Sequence, residues 1–274
     1  MTIAAQQSTF LTAEWKNVLM LNYAVDPVLL QPLVPAGTEL DRFAGEAYVS
    51  LIGFEFNKTQ VFGMAIPFHQ AFEEVNLRFY VRRGEKRGVA FIRELVPKYA
   101  VTAVARLVYG ENYACVPMSH RIERNGSRAT ADYSWGSGPD CCTISAESSG
   151  EGYIPEEGSL GQFITEHYWG YAAQRRGGTI EYEVRHPQWK VIDADSARFT
   201  GNAERYYGAD FAKALDKPPD SAFLAEGSPV TVFKGSLLPW AVLGGSVGLQ
   251  PTNQANGSGT SAQANQKGKY ERHS

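Results

Sequence analysis

The chain has 274 residues, 43% of them hydrophobic, and its 26 Lys and Arg against 29 Asp and Glu leave a formal net charge of −3. That balance offers no electrostatic pull on nucleic acid or an anionic membrane, so neither is expected as a partner. The longest uncharged apolar stretch, from Ser236 to Leu249, is shorter than the ~20 residues of a membrane span, and 27 Gly with 14 Pro favour short strands and turns over long helices.

Taken in chain order, the first 25 residues lack the cationic, apolar and cleavage regions of a secretory leader, and Lys16 interrupts their apolar run. A cytoplasmic location is therefore expected. Asp26-Pro27 opens a short helix in DPVLLQPLVP, with Asp26 as N-cap and Pro27 at the first helical position. Ala47–Phe56 is rich in β-branched and aromatic residues without helical period, which predicts a strand. Glu73–Arg83 alternates: Val75, Leu77, Phe79 and Val81 share one face, and Glu74, Asn76, Arg78 and Tyr80 share the other.

Gly84 to Gly88 reads as a turn, after which GVAFIRELV returns as a partner strand. On it Ala90, Ile92, Glu94, Val96 and Lys98 share parity, which puts Glu94 and Lys98 on one face unless Pro97 bends the strand. Lys98–Gly110 carries a helical apolar stripe ending at a glycine. Asn125-Gly126 marks a tight hairpin between HRIER and SRATADYSW. Short helices are expected within SLGQFITEHYWGYAAQRR and NAERYYGADFAKALDK, and alternating strands at Gly178–His186 and Pro229–Gly235. Beyond Leu249 the segment has only Tyr270 as a large apolar residue, so residues 250–274 read as a disordered tail behind one domain, 1–249. Hairpins with a few inserted helices predict a mainly β or α+β fold, an antiparallel sandwich, cone or barrel.

Motif by motif, little points to a named chemistry. Gly244-Gly245-Ser246-Val247-Gly248 fits G-x-S-x-G, yet no helix pattern follows and the only later histidine is His273, so a nucleophile elbow is not expected. The other histidines, His69, His120, His167 and His186, have no metal-ligand spacing, and no phosphate or dinucleotide fingerprint occurs. No cofactor is expected. Cys115, Cys141 and Cys142 are too few for a disulfide framework and read as free thiols.

The polar face of Glu73–Arg83 admits two readings. It is either a solvated strand face or the wall of a cavity in which Arg78 clamps a ligand carboxylate. Lys98 likewise reads as a surface lysine or, if buried near another cation, as an amine nucleophile.

LTAEWKNVLMLNYAVDPVLLQPLVPAGTELDRFAGEAYVSLIGFEF, FHQAFEEVNLRFYVRR and GVAFIRELVPK, continuing through ARLVYGENY, TEHYWGY, VRHPQW and AEGSPVTVF, resemble the YqjF-like family of uncharacterised proteins. The likeness spans Phe10 to Phe233. It implies a fold similar to acetoacetate decarboxylase, an antiparallel β cone or sandwich around a small-molecule pocket. Pro97-Lys98 resembles the start of that enzyme's Schiff-base segment, but Tyr99 stands where its second, activating lysine would follow. Glu74 is similar in placement to a glutamate of its pocket.

The resemblance implies a ligand that is a small carboxylated or carbonyl metabolite. In the enzymatic version Lys98 forms an imine, Glu74 or Glu94 manages protons, and Arg78, Asn76 and His69 bind substrate. In the alternative the protein binds its ligand without lysine chemistry. A third arrangement pairs Glu74 with His69 or His167. A homo-oligomer stays open.

Overall fold

Apolar residues at every second position draw most of the chain into strands. The computed structural model describes residues 7–99, 102 and 112–238, all inside the unit Met1–Trp240. Its strands are β1 (Thr9–Val25), β2 (Glu39–Leu40), β3 (Ala47–Val61), β4 (Met64–Ala65), β5 (Phe72–Arg83), β6 (Lys86–Val96), β7 (Tyr113–Cys115) and β8 (Met118–Asn125). They continue as β9 (Arg128–Trp135), β10 (Cys142–Ser149), β11 (Trp169–Ala173), β12 (Thr179–Arg185), β13 (Val191–Gly201), β14 (Ser221–Phe233) and β15 (Ser236–Leu237). The helices are short: α1 (Pro27–Leu30), α2 (Leu160–Thr165), α3 (Ala203–Tyr207) and α4 (Ala209–Leu215). As expected, Asp26 caps α1, its Oδ1 accepting from Val28 N at 2.9 Å.

The pairings of β12, β11, β6, β5, β3, β1 and β14 run in sequence, and β14 returns to β12 through Val184–Val232 and Arg185–Thr231. This closes a circuit with an inside and an outside. From β14 the sheet continues through β13, β10, β9 and β8, an antiparallel layer that covers the outer face of β1, β3 and β5. Tyr133, Trp135 and Ile144 of that layer pack with Leu19, Leu51 and Leu77. Gly53 makes room for this contact, since a Cβ there would lie 2.6 Å from the Tyr133 ring.

Three irregularities keep apolar residues pointing inward along the longest strands. Asn17 (φ 52), Lys58 (φ 52) and Gly227 (φ 86) adopt left-handed backbone in β1, β3 and β14. Each reverses the parity of its strand, as a bulge does. Trp15 and Val18 thus line one cavity although they lie on opposite parities, and so do Phe56 and Thr59. The Asn17 bulge is tied down where its carbonyl accepts from Tyr133 Oη at 2.7 Å.

Several expectations need correction. The sheet is not wholly antiparallel: β6 pairs in parallel with both β11 and β7, which long connections bring alongside it. The turn after β5 is only Gly84-Glu85, and Gly88 lies inside β6, where a Cβ would strike Trp169 O at 2.5 Å. The second hairpin turns at Gly126-Ser127, one residue later than expected, because only Gly126 takes positive φ while Asn125 pairs with Arg128. A register shift in β6 flips parity, so Ala90 and Ile92 pack outward while Glu94 and Val96 face inward. The helix expected over Lys98–Gly110 lies mostly outside the described residues, although Thr102 N donates to Lys98 O at 3.1 Å. The G-x-S-x-G segment and the 250–274 tail lie wholly outside them.

Candidate ligand-binding cavity

Every strand of the closed circuit contributes to one wall, so the cavity lies inside it: Leu11, Ile52, Arg78, Phe91, Trp169, Val184 and Val232 each come from a different strand. Its volume is about 180 Å³. Much of the lining is aromatic, and the rings touch one another. Trp15 meets Phe54 at 5.5 Å and Trp189 at 5.9 Å, Phe72 stacks on Phe56 at 4.8 Å, and His186 stacks on Trp189 at 4.7 Å.

Alternation on β5 puts Glu74, Asn76 and Arg78 into this wall while Val75, Leu77 and Phe79 pack outward. Asn76 stands opposite Glu94 of β6, which lines the same cavity. Asn76 Nδ2 donates to Glu74 Oε1 at 2.9 Å, and Tyr113 Oη donates to Glu74 Oε2 at 3.2 Å. Arg78 sits two strand positions beyond Asn76. Its Nη2 donates to Ile164 O at 3.2 Å, and its guanidinium lies 5.7 Å from the Tyr80 ring centre. Among the described residues no carboxylate lies within ion-pair distance of Arg78, and its buried Nε has no hydrogen-bond partner.

His167 completes this end of the cavity. Ser159 caps α2, its Oγ accepting from Gln162 N at 3.2 Å, and the chain leaves the helix at Glu166 to place His167 against the rings of Tyr80 (4.6 Å) and Phe163 (5.5 Å). The imidazole is only 2% exposed and neither ring nitrogen has a hydrogen-bond partner. Asp41 Oδ2, held by Arg87 Nε at 2.7 Å, stands 3.7 Å from His167 Nε2. Burial dominates and pulls the His167 pKa down to about 4; the nearby Asp41 opposes this, and Arg87 and Arg78 add to it. At neutral pH the ring is therefore uncharged, one nitrogen a donor and the other an acceptor. For Asp41, burial pushes the pKa up, but the nearby His167 ring and the hydrogen-bonded Arg87 guanidinium together outweigh it and hold the carboxyl below its usual value.

The residues singled out from sequence separate into two groups. Glu74, Asn76, Arg78, Glu94 and His69 all line the cavity, His69 from the largely exposed 62–70 segment, where its Nδ1 lies 2.8 Å from Pro67 O. Lys98 does not: it follows the end of β6, half-buried, outside the wall. From sequence, His167 is only a possible partner of Glu74, and the aromatic wall has no motif of its own. The signal for both was the density of rings in segments such as TEHYWGY, which cannot by itself separate a packed ring from one lining a void. Among the described residues no group of three His, Cys, Asp or Glu is placed to hold a metal, and no helix is long and apolar enough to cross a membrane.

The DUF2071 family model, described as an uncharacterized conserved protein, matches residues 12–229. The uncharacterized protein YqjF of Bacillus subtilis (strain 168) is 28% identical over 190 residues, 66% of this chain and 75% of that one. Solved structures add the fold. The enduracididine biosynthesis enzyme MppR complexed with pyruvate superposes with a TM-score of 0.65 at 14% identity, covering 87% of this chain and 93% of its own. An acetoacetate decarboxylase-like enzyme from Sphingomonas wittichii RW1 gives 0.62 at 13% identity, covering 87% and 96%. Acetoacetate decarboxylase from Legionella pneumophila gives 0.57 at 14%, covering 87% and 92%. These likenesses place the chain in the acetoacetate-decarboxylase-like fold.

Proposed function

The chain belongs to the DUF2071 family, and from that premise we propose that it binds a small carboxylated metabolite in its internal cavity, with Arg78 as anchor for the acid group. One observation carries this reading. Arg78 presents a guanidinium to a mainly apolar wall with no carboxylate within ion-pair distance among the described residues and with Nε unpartnered. A charge held out of water is costly unless paired, and a ligand carboxylate would pair it in the bidentate geometry that guanidinium favours. The fold adds support: MppR is described in complex with pyruvate, a carboxylate carrying a carbonyl. Glu74, fixed by Asn76 and Tyr113, is the group suited to exchange a proton with a bound carbonyl compound.

The imine version of the function has less support. Lys98 stands outside the cavity wall, and the following residue, Tyr99, is exposed and supplies no second cation. On this proposal the chain is a carboxylate-binding protein in which Lys98 takes no part. The test pairs thermal stabilisation by carboxylate ligands with borohydride trapping in the presence of pyruvate and acetoacetate. Stabilisation should survive Lys98→Ala and vanish in Arg78→Ala, with no reduced adduct by intact mass. An adduct lost in Lys98→Ala would restore the imine mechanism.

A further inference from the structure

We propose that the ligand is an aryl carboxylic acid, a single aromatic ring bearing its acid on a short linker, with the acid held by Arg78 and His167 and the ring by the aromatic wall. This rests on the carboxylate reading above and goes on to name the rest of the molecule. The acid end is marked by orphaned polar atoms. Arg78 Nε and both nitrogens of His167 are buried without hydrogen-bond partners, and the Tyr80 ring touches both side chains. Buried polar atoms are ordinarily satisfied, so a set of them facing one cavity marks the place of a missing acceptor. A carboxylate accepts from the guanidinium and from one imidazole N–H together. His167 can serve because burial keeps it neutral: it donates without adding a second positive charge to the apolar wall.

The remainder of the ligand is set by what surrounds it. Trp15, Phe54, Phe56, Phe72 and Trp189 form a continuous edge-to-face and stacked array along the wall. Aromatic rings prefer such offset and edge contacts, which an inserted arene can extend. A keto acid the size of pyruvate would bury only a methyl group there and leave most of the apolar surface uncovered. Size argues for one ring rather than two: a cavity of about 180 Å³ is slightly larger than the ~150 Å³ that admits benzene. On the exposed side, Ile66 lines the cavity from a segment that also displays Phe62 (54% exposed) and Phe68 (89%), an apolar approach suited to such a molecule.

The experiment is titration calorimetry on the unmodified full-length chain with matched pairs: phenylacetate against acetate, phenylpyruvate against pyruvate, and phenylacetate against neutral 2-phenylethanol. The aryl member of each acid pair should bind at least 10-fold tighter, and 2-phenylethanol at least 10-fold weaker than phenylacetate. Pyruvate binding as tightly as phenylpyruvate would overturn the aryl assignment while leaving the carboxylate anchor intact. 2-Phenylethanol equal to phenylacetate, or no binding by any acid, would remove the anchor itself. For His167, the Gln variant keeps a donor and should retain most of the phenylacetate affinity, whereas His167→Phe should lose about 10-fold. Equal affinity in all three proteins would take His167 out of the site.

Discussion

The two faces of β5 are made from alternate residues of one twelve-residue strand, and they are put to opposite uses. Outward, Val75, Leu77 and Phe79 are at most 1% exposed in the cluster that includes Tyr133 and Trp135 of the covering layer. Inward, Glu74, Asn76 and Arg78 face a cavity, and Arg78 leaves a donor unmet. A close-packed face supplies stability because every methylene has neighbours. A face bordering a void gives up that contribution and gains the capacity to take up a ligand. Stability and recognition are thus assigned to opposite parities of the same backbone, and substitutions one residue apart should separate them.

The largest effect belongs to the packed face. Leu77→Ala should cost about 2–5 kcal/mol of folding stability, the usual range for a fully buried leucine truncated in a core that cannot collapse. Urea unfolding checks it. A loss under 1 kcal/mol would mean that the covering layer moves in to fill the space, and that the packed face is softer than its burial implies.

The contrast between the faces was largely legible in the sequence. Alternation along Glu73–Arg83 separates Glu74, Asn76 and Arg78 from their apolar neighbours without any knowledge of pairing, and Asp26-Pro27 marks the start of α1 through local chemistry alone. What stayed hidden depends on long-range pairing. The parity reversals at Asn17 and Lys58 have no local signature, since neither residue type demands positive φ. The shift in β6 that turns Glu94 inward and Ala90 outward is a matter of register with β5. The same limit applies to Lys98. Its neighbours Pro97 and Tyr99 can be read from the sequence, but whether it reaches the cavity is decided by where β6 ends. His167 was visible as a histidine among rings, and its burial, which fixes its protonation, was not.

A second prediction concerns the inner side and pH. The His167 pKa falls in the fold to about 4 from its ordinary value near 6.5, so acidification protonates the unfolded chain first. Stability should be level above about pH 6.5, fall as pH drops toward 4, and level again below that, a total loss of about 3 kcal/mol from this group. Asp41, whose pKa is lowered, loses its contribution in the same direction at more acidic pH. Denaturation midpoints from pH 7 to 4 measure the slope, and His167→Gln should flatten it between pH 6.5 and 4. An unchanged slope in that variant would assign the acid sensitivity to other groups and return His167 to an ordinary packing role.

The smallest stability change should come from the residue with the largest effect on binding. Arg78→Met keeps an unbranched, apolar stem but removes the guanidinium, with its charge and its contact on the Tyr80 ring. Two terms oppose each other: Ile164 O loses its donor, which costs about 1–3 kcal/mol for a buried acceptor, and a partly desolvated guanidinium without a carboxylate partner is relieved of its own penalty. The expected net change is within about 1 kcal/mol of zero, against the 2–5 kcal/mol of Leu77→Ala next to it. Thermal stabilisation by phenylacetate should disappear in the same variant. A destabilisation above 2 kcal/mol with ligand response retained would show that the guanidinium serves as a tie to the end of α2. The division of labour between the faces of β5 would then fail at the position where it was most expected.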